Sequence, residues 1–122
     1  MIAEDVTVED NGVSFVARTE EGSIPVALAL EGQHYVLDAL AAVSAGLQFG
    51  VSAENITAAL GNFRNMAGRQ EIFEANGYTI IKDCYNAGPE SMAAALNVLS
   101  KRPGRRIAVL GDMLELGMCA AA

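Results

Sequence analysis

The side chains best suited to chemistry fall in two clusters: Arg69, Asp83, Tyr85, Asn86, Asp112 and Met113 in the second half, His34 and Asp38 in the first. A guanidinium can hold an anion such as phosphate through two parallel hydrogen bonds, which suits Arg69; a solvated loop arginine is the plainer reading. The Asp83 carboxylate can accept from both hydroxyls of a ribose, or can serve as a turn or capping aspartate. Tyr85 and Asn86 can line the same space. Asn86 can equally cap a following helix, and Tyr85 can be an ordinary half-buried aromatic. Asp112 follows Gly111, whose missing Cβ permits close backbone approach, and Met113 offers apolar contact. The alternative is a helix start capped by Asp112. His34 is the only histidine and can be a structural hydrogen bonder. Asp38 can accept a hydrogen bond from an amino group, but when ionised it cannot donate one.

Local patterns say which elements position these residues. Residues 1–30 read as β structure. Val6-Thr7-Val8-Glu9 and Val13-Ser14-Phe15-Val16-Ala17 flank the hairpin signal Asp10-Asn11-Gly12, and a third strand over 24–30 carries Pro25 near its start. Val36, Leu40, Val43 and Leu47 recur at helical spacing, with Gly50 as the stop. Ser52 caps a second helix with Ile56, Ala59, Leu60 and Phe63 as its buried stripe. Periodicity breaks over 64–68, which reads as a boundary. Beyond it, 70–75 and 78–82 flank Asn76-Gly77, a second hairpin signal. Pro89 opens a helix with Met92, Leu96 and Leu99 inward, and Pro103-Gly104 ends it. Ile107-Ala108-Val109-Leu110 is all apolar, as expected of a strand covered on both faces. Strand, helix and strand would make a right-handed βαβ unit. Asp83 and Asp112 would then sit at the carboxyl ends of adjacent parallel strands, where open sheets bind ligands.

At 122 residues the chain has the size of one ordinary domain, and 52% hydrophobic residues with a mean hydropathy of +0.26 favour a folded protein. A net charge of −7 argues against a general nucleic-acid binder, which needs a basic face. No apolar run approaches the roughly 18 residues of a membrane span. The Met1 start lacks the basic and apolar regions of a signal peptide. Cys84 and Cys119 have no framework or metal-site spacing, which suits a reducing cytoplasm.

The stretch from Asp83 to Met92, read D-C-Y-N-A-G-P-E-S-M, resembles the D-D-S-Y-N-A-N-P-x-S-M segment of the Mur ligases. Val109 to Gly117 resembles their V-L-G-D-M-x-E-L-G segment, and Gly32 to Ala42 their G-x-H-N-x-x-N-A-L-A-A helix start. Gly68-Arg69 stands where the family has its domain-junction G-R. The matches run in order along nearly the whole chain.

This resemblance implies an α/β chain: part of a Mur ligase central domain, strands plus two helices, followed by a truncated Rossmann-like βαβ unit. The expected division is 1–66, the C-terminal part of the central ATP-binding domain, and 67–122, the N-terminal part of the C-terminal domain. The implied activity is ADP-forming, ATP-dependent peptide-bond formation in peptidoglycan precursor synthesis. D-alanyl-D-alanine would be added to UDP-N-acetylmuramoyl-tripeptide after the tripeptide carboxylate is activated as an acyl phosphate. By resemblance Arg69 contacts the transferred phosphate and Asp83 the ribose. Tyr85, Asn86, His34 and Asp38 belong with the nucleotide, and Asp112 and Met113 with the incoming dipeptide. ATP and Mg²⁺ are the implied cofactors. The magnesium ligands and the phosphate loop are expected outside this chain, since nothing here matches G-x-x-x-x-G-K-[ST]. The parent is expected to be a cytoplasmic monomer without nucleic-acid or membrane partners, and the chain a fragment inactive by itself. The sequence departs from the family at Tyr35 and Asp38, where asparagines stand, at Gly88, where the loop has a second asparagine, and at Cys84, where it has serine. These departures keep open a non-catalytic nucleotide- or peptide-binding module, or a decayed relative.

Overall fold

Alternation of apolar and polar residues sets the first sheet. In β2 (Gly12–Thr19) Val13, Phe15 and Ala17 point inward, and in β3 (Gly22–Leu28) Ile24, Val26 and Leu28 do so. A computed structural model of the chain describes residues 1–9 and 11–117. Asp10 of the expected first turn and the 118–122 tail with Cys119 lie outside them. β1 (Ile2–Glu9), β2 and β3 form an antiparallel meander. The β1–β2 register shifts between Glu4 and Thr7, and Asp5 takes a φ of 53°, so one extra residue bulges from the outer strand. Gly12 is required where it stands, because a Cβ there would meet the Leu28 carbonyl oxygen at 2.4 Å. Across β1 and β2, Arg18 Nε donates to Glu4 Oε2 at 2.6 Å, and this bond together with the carboxylate's charge raises the guanidinium pKa above its ordinary value.

The sheet's apolar face is covered by α1 (Tyr35–Gln48), through Val36, Ala39 and Val43, with Ile56 of α2 (Ala53–Asn62) completing the core. Helix α1 ends at Gly50 (φ 75°). The Gly50 N–H donates to the Leu47 carbonyl and the Val51 N–H to the Gly46 carbonyl, at 2.9 Å each, the paired arrangement of a Schellman stop. Ser52 caps α2 as expected, its Oγ accepting from the Asn55 N–H at 3.3 Å. The expected α2 stripe is only partly inward. Ile56 is buried and Leu60 half-buried, but Ala59 and Phe63 are exposed. The helix lies along β3 with Thr57 donating to the Pro25 carbonyl at 2.9 Å, so a narrow band of it faces the core.

The chain divides into two compact units, Met1–Arg64 and the residues from Asn65 on. The second holds the antiparallel hairpin of β4 (Glu71–Ala75) and β5 (Tyr78–Lys82), then α3 (Pro89–Ser100). Asn76 and Gly77, at φ 52° and 78°, make the expected left-handed two-residue turn. Gly88, not Asn86, is the N-cap of α3, and Ser91 Oγ accepts its N–H at 3.0 Å. Arg106 closes the other end, Nη1 donating to the Ser100 and Arg102 carbonyls at 2.9 and 3.2 Å.

The α/β class stands, with one correction at the level of an element. Residues 107–110 form no strand, and β5 pairs with β4 alone among the described residues. Ile107, Val109 and Leu110 are 64%, 93% and 57% exposed. An all-apolar run becomes a strand only where a neighbour satisfies its backbone and layers cover both faces. Neither condition is met here, so no parallel pair forms among the described residues of this unit. Nor do Met92, Leu96 and Leu99 form a buried stripe. They line a cleft, and Val98 is the buried α3 residue. Among the described residues no helix is long and apolar enough to cross a membrane.

Candidate functional site

The site grows out of the hairpin register. The Asn76–Gly77 turn pairs Ala75 with Tyr78 and, at the far end, Glu71 with Lys82. One step further Gln70 faces Asp83, and the Gln70 N–H donates to Asp83 Oδ1 at 3.2 Å. A further step on, the Gly68 carbonyl accepts from the Cys84 and Tyr85 N–H groups at 2.9 and 3.1 Å. The Gly68 N–H in turn donates to Glu71 Oε2 at 3.3 Å. Gly68 and Gln70 both lie in the left-handed region, at φ 77° and 43°. Arg69 between them projects from a sharply folded loop, and its Cζ sits 4.3 Å from the centroid of the Tyr85 ring.

Asp83, Tyr85 and Asn86 line a cleft of about 570 Å³, walled on the other sides by α3 and by residues 107–112 and 114. That volume is of the order of a small-ligand pocket, roughly 300–1,000 Å³. Asp112 lines the same cleft, so the two aspartates reach one ligand space although no parallel strands carry them there. Met113 is half-buried and not part of the lining. Asn86 Oδ1 accepts from the neighbouring Ala87 N–H at 3.0 Å. Asp83 therefore has a structural task, tying strand to loop, which uses one of a carboxylate's roughly four acceptor positions. The cleft can thus offer carboxylates to hydroxyl or amino groups, and beside it a cation to an anion.

His34 and Asp38 belong to the first unit. His34 precedes α1 and does not cap it with its side chain; its ring lies 4.1 Å from that of Tyr35. Asp38 is exposed in the first helical turn, where the positive end of the helix favours a carboxylate whatever else it does. Among the described residues no group of three or more His, Cys, Asp or Glu side chains is placed to hold a metal ion.

The Arg69–Tyr85 stack and the Asp83–Gln70 bond did not figure in the sequence reading. The signal for the second was present: a two-residue Asn-Gly turn fixes which residues oppose one another all the way to 70 and 83.

Residues 68–122 match the family model described as Mur ligase, glutamate ligase domain. The UDP-N-acetylmuramoyl-tripeptide–D-alanyl-D-alanine ligase of Escherichia coli (strain K12) is 39% identical over 116 residues, covering 94% of this chain and 26% of that protein. Its counterpart in Bacillus subtilis (strain 168) is 35% identical over 117 residues, covering 93% and 25%. The crystal structure of MurF from Acinetobacter baumannii superposes with a TM-score of 0.88 at 36% identity, covering 94% of this chain and 25% of that one. The MurF ligase of Thermotoga maritima, solved in complex with ADP, shares the fold at a TM-score of 0.75 and 23% identity, covering 94% and 27%. The chain thus spans about a quarter of the length of the relatives it matches. With similar sequence over nearly all of its length, and similar fold, the chain belongs to the Mur ligase family.

Proposed function

We propose that this chain is part of an ATP-dependent ligase that joins D-alanyl-D-alanine to UDP-N-acetylmuramoyl-tripeptide, acting in the cytoplasm as a monomer. Residues 1–66 are read as the end of its central ATP-binding domain and 67–122 as the start of its C-terminal domain. The observation that carries this reading is the end of the β4–β5 hairpin. There a phosphate-suited cation, Arg69, stacks on Tyr85, and a ribose-suited carboxylate, Asp83, is held by the neighbouring Gln70 N–H, beside a cleft that Asp112 also lines. Similarity to D-alanyl-D-alanine ligases over most of the chain supports it, as does the ADP held by the Thermotoga maritima neighbour.

In this reading ATP supplies the phosphoryl group that activates a carboxylate. Arg69 offsets phosphate charge, Asp83 accepts from the ribose, and Tyr85 and Asn86 border them. His34 and Asp38 belong with the adenine, while Asp112 and Met113 meet the incoming dipeptide. Among the described residues no group of three or more His, Cys, Asp or Glu side chains is placed to hold a metal ion, and in this reading the Mg²⁺ ligands lie outside this chain. What these residues contribute is positioning and charge complementarity.

The test uses the full-length protein containing this chain, with UDP-MurNAc-tripeptide, D-Ala-D-Ala, Mg²⁺ and ATP. Phosphate release should require both substrates, and Arg69→Ala should lower turnover about 100-fold or more, as for loss of a group that stabilises transferring charge. The chain of 122 residues alone should release none. Phosphate release by the full-length protein that ignores the dipeptide would sink the ligase reading and favour a decayed or repurposed relative.

A further inference from the structure

We propose that Tyr85 is a positioning residue for Arg69, and that it affects nucleotide use through the guanidinium rather than by touching the nucleotide. The proposal rests on the reading of Arg69 as the phosphate-binding cation. Arg69 leaves the chain between two left-handed residues, and the Tyr85 ring, 4.3 Å from its Cζ, is the side-chain partner of the guanidinium among the described residues. A long side chain on an exposed loop otherwise samples many rotamers, and that freedom must be lost when it meets an anion. A carboxylate could hold it too, but would occupy its N–H donors and neutralise its charge. An aromatic face holds the planar cation while leaving its N–H edge and its charge available for a phosphate. The stack is braced from behind, because the Tyr85 N–H donates to the carbonyl of Gly68, the residue preceding Arg69, at 3.1 Å. Tyr85 is 68% exposed, so replacing its ring leaves no cavity in a core.

The experiment measures kcat and KM for ATP in the full-length ligase for Tyr85→Phe, Tyr85→Leu, Arg69→Ala and the double variant Arg69→Ala/Tyr85→Leu. Phenylalanine keeps the aromatic face and should stay within about twofold of the parent. Leucine removes it and should lower kcat/KM for ATP about 3- to 30-fold, the range expected for one cation–π contact between exposed and desolvated limits. In the Arg69→Ala background the leucine substitution should cost nothing further. An equal loss in both backgrounds would show the ring acting on the nucleotide directly and overturn the proposal. So would a Tyr85→Leu enzyme matching the parent while Arg69→Ala is crippled. If Arg69→Ala alone leaves turnover intact, the reading of Arg69 fails first, and this inference fails with it.

Discussion

Asp83 has a structural task and, in the proposed function, a ribose contact on the same carboxylate, and substitution can separate them. Its Oδ1 accepts the Gln70 N–H, a bond that any acceptor of similar shape can make. Accepting from ribose hydroxyls draws on the negative charge as well. Asp83→Asn should therefore leave the denaturation midpoint nearly unchanged while weakening ATP use. Asp83→Ala should also destabilise the protein by about 1 kcal/mol, the net worth of one hydrogen bond. Chemical denaturation and ATP titration on the same two proteins check this, and equal destabilisation by both would contradict it. Asp38 differs, since its carboxylate stands where an amide could both donate and accept. Asp38→Asn should lower the KM for ATP or leave it unchanged; a clear rise would give the carboxylate a task of its own. From the sequence Asp83 had a functional reading and a plain one, a turn or capping aspartate, and Asp38 only a functional one. The structure gives Asp83 a tie between strand and loop instead, and places Asp38 at the favourable end of a helix. A single residue type before a loop carries no mark of which partner it will find.

At the scale of elements, what was legible depended on whether the cause was local. Asn76-Gly77, Gly50 and Ser52 act within a few residues of themselves, and each does what its pattern implied. Ile107–Leu110 depends on a partner strand, and without one its composition does not make it β. Ala59 and Phe63 carried the right period, but α2 turns only a narrow band inward because Thr57 fixes it along β3. Periodicity gives the face of a helix; tertiary contact decides how wide that face is. The Asn76–Gly77 turn also has reach. Gly77→Val places a β-branched residue at φ 78° and should cost roughly 1–2 kcal/mol. If the strained turn shifts the register, Asp83 no longer faces Gln70 and ATP turnover falls with stability. Amide exchange over 70–72 and 81–83 reports register directly, and an unchanged pattern with full activity would count against this coupling.

For the molecule as a whole, both units expose apolar side chains, Leu37 and Phe49 in the first among them. In the second unit Val109 is 93% and Leu114 77% exposed, and the β4–β5 hairpin has no further strand on either side among the described residues. A purified chain of these 122 residues should self-associate as concentration rises, because exposed apolar side chains and open strand edges both favour contact between copies. Light scattering should show this, and Val109→Lys should suppress it without altering the circular dichroism spectrum. Association that persists unchanged in that variant would place the contact elsewhere.

The β1 edge of the first unit is expected to take little part in pairing between copies, for a reason lying in that strand. The extra residue at Asp5 breaks the even spacing of outward-facing amide and carbonyl groups along β1. A second chain approaching that edge could satisfy one half of the row or the other, but not both in one alignment. The irregularity thus works as a mismatch barrier against fibre growth. Removing it by deleting one residue between Glu4 and Thr7 would straighten the strand and turn a protected edge into an adhesive one.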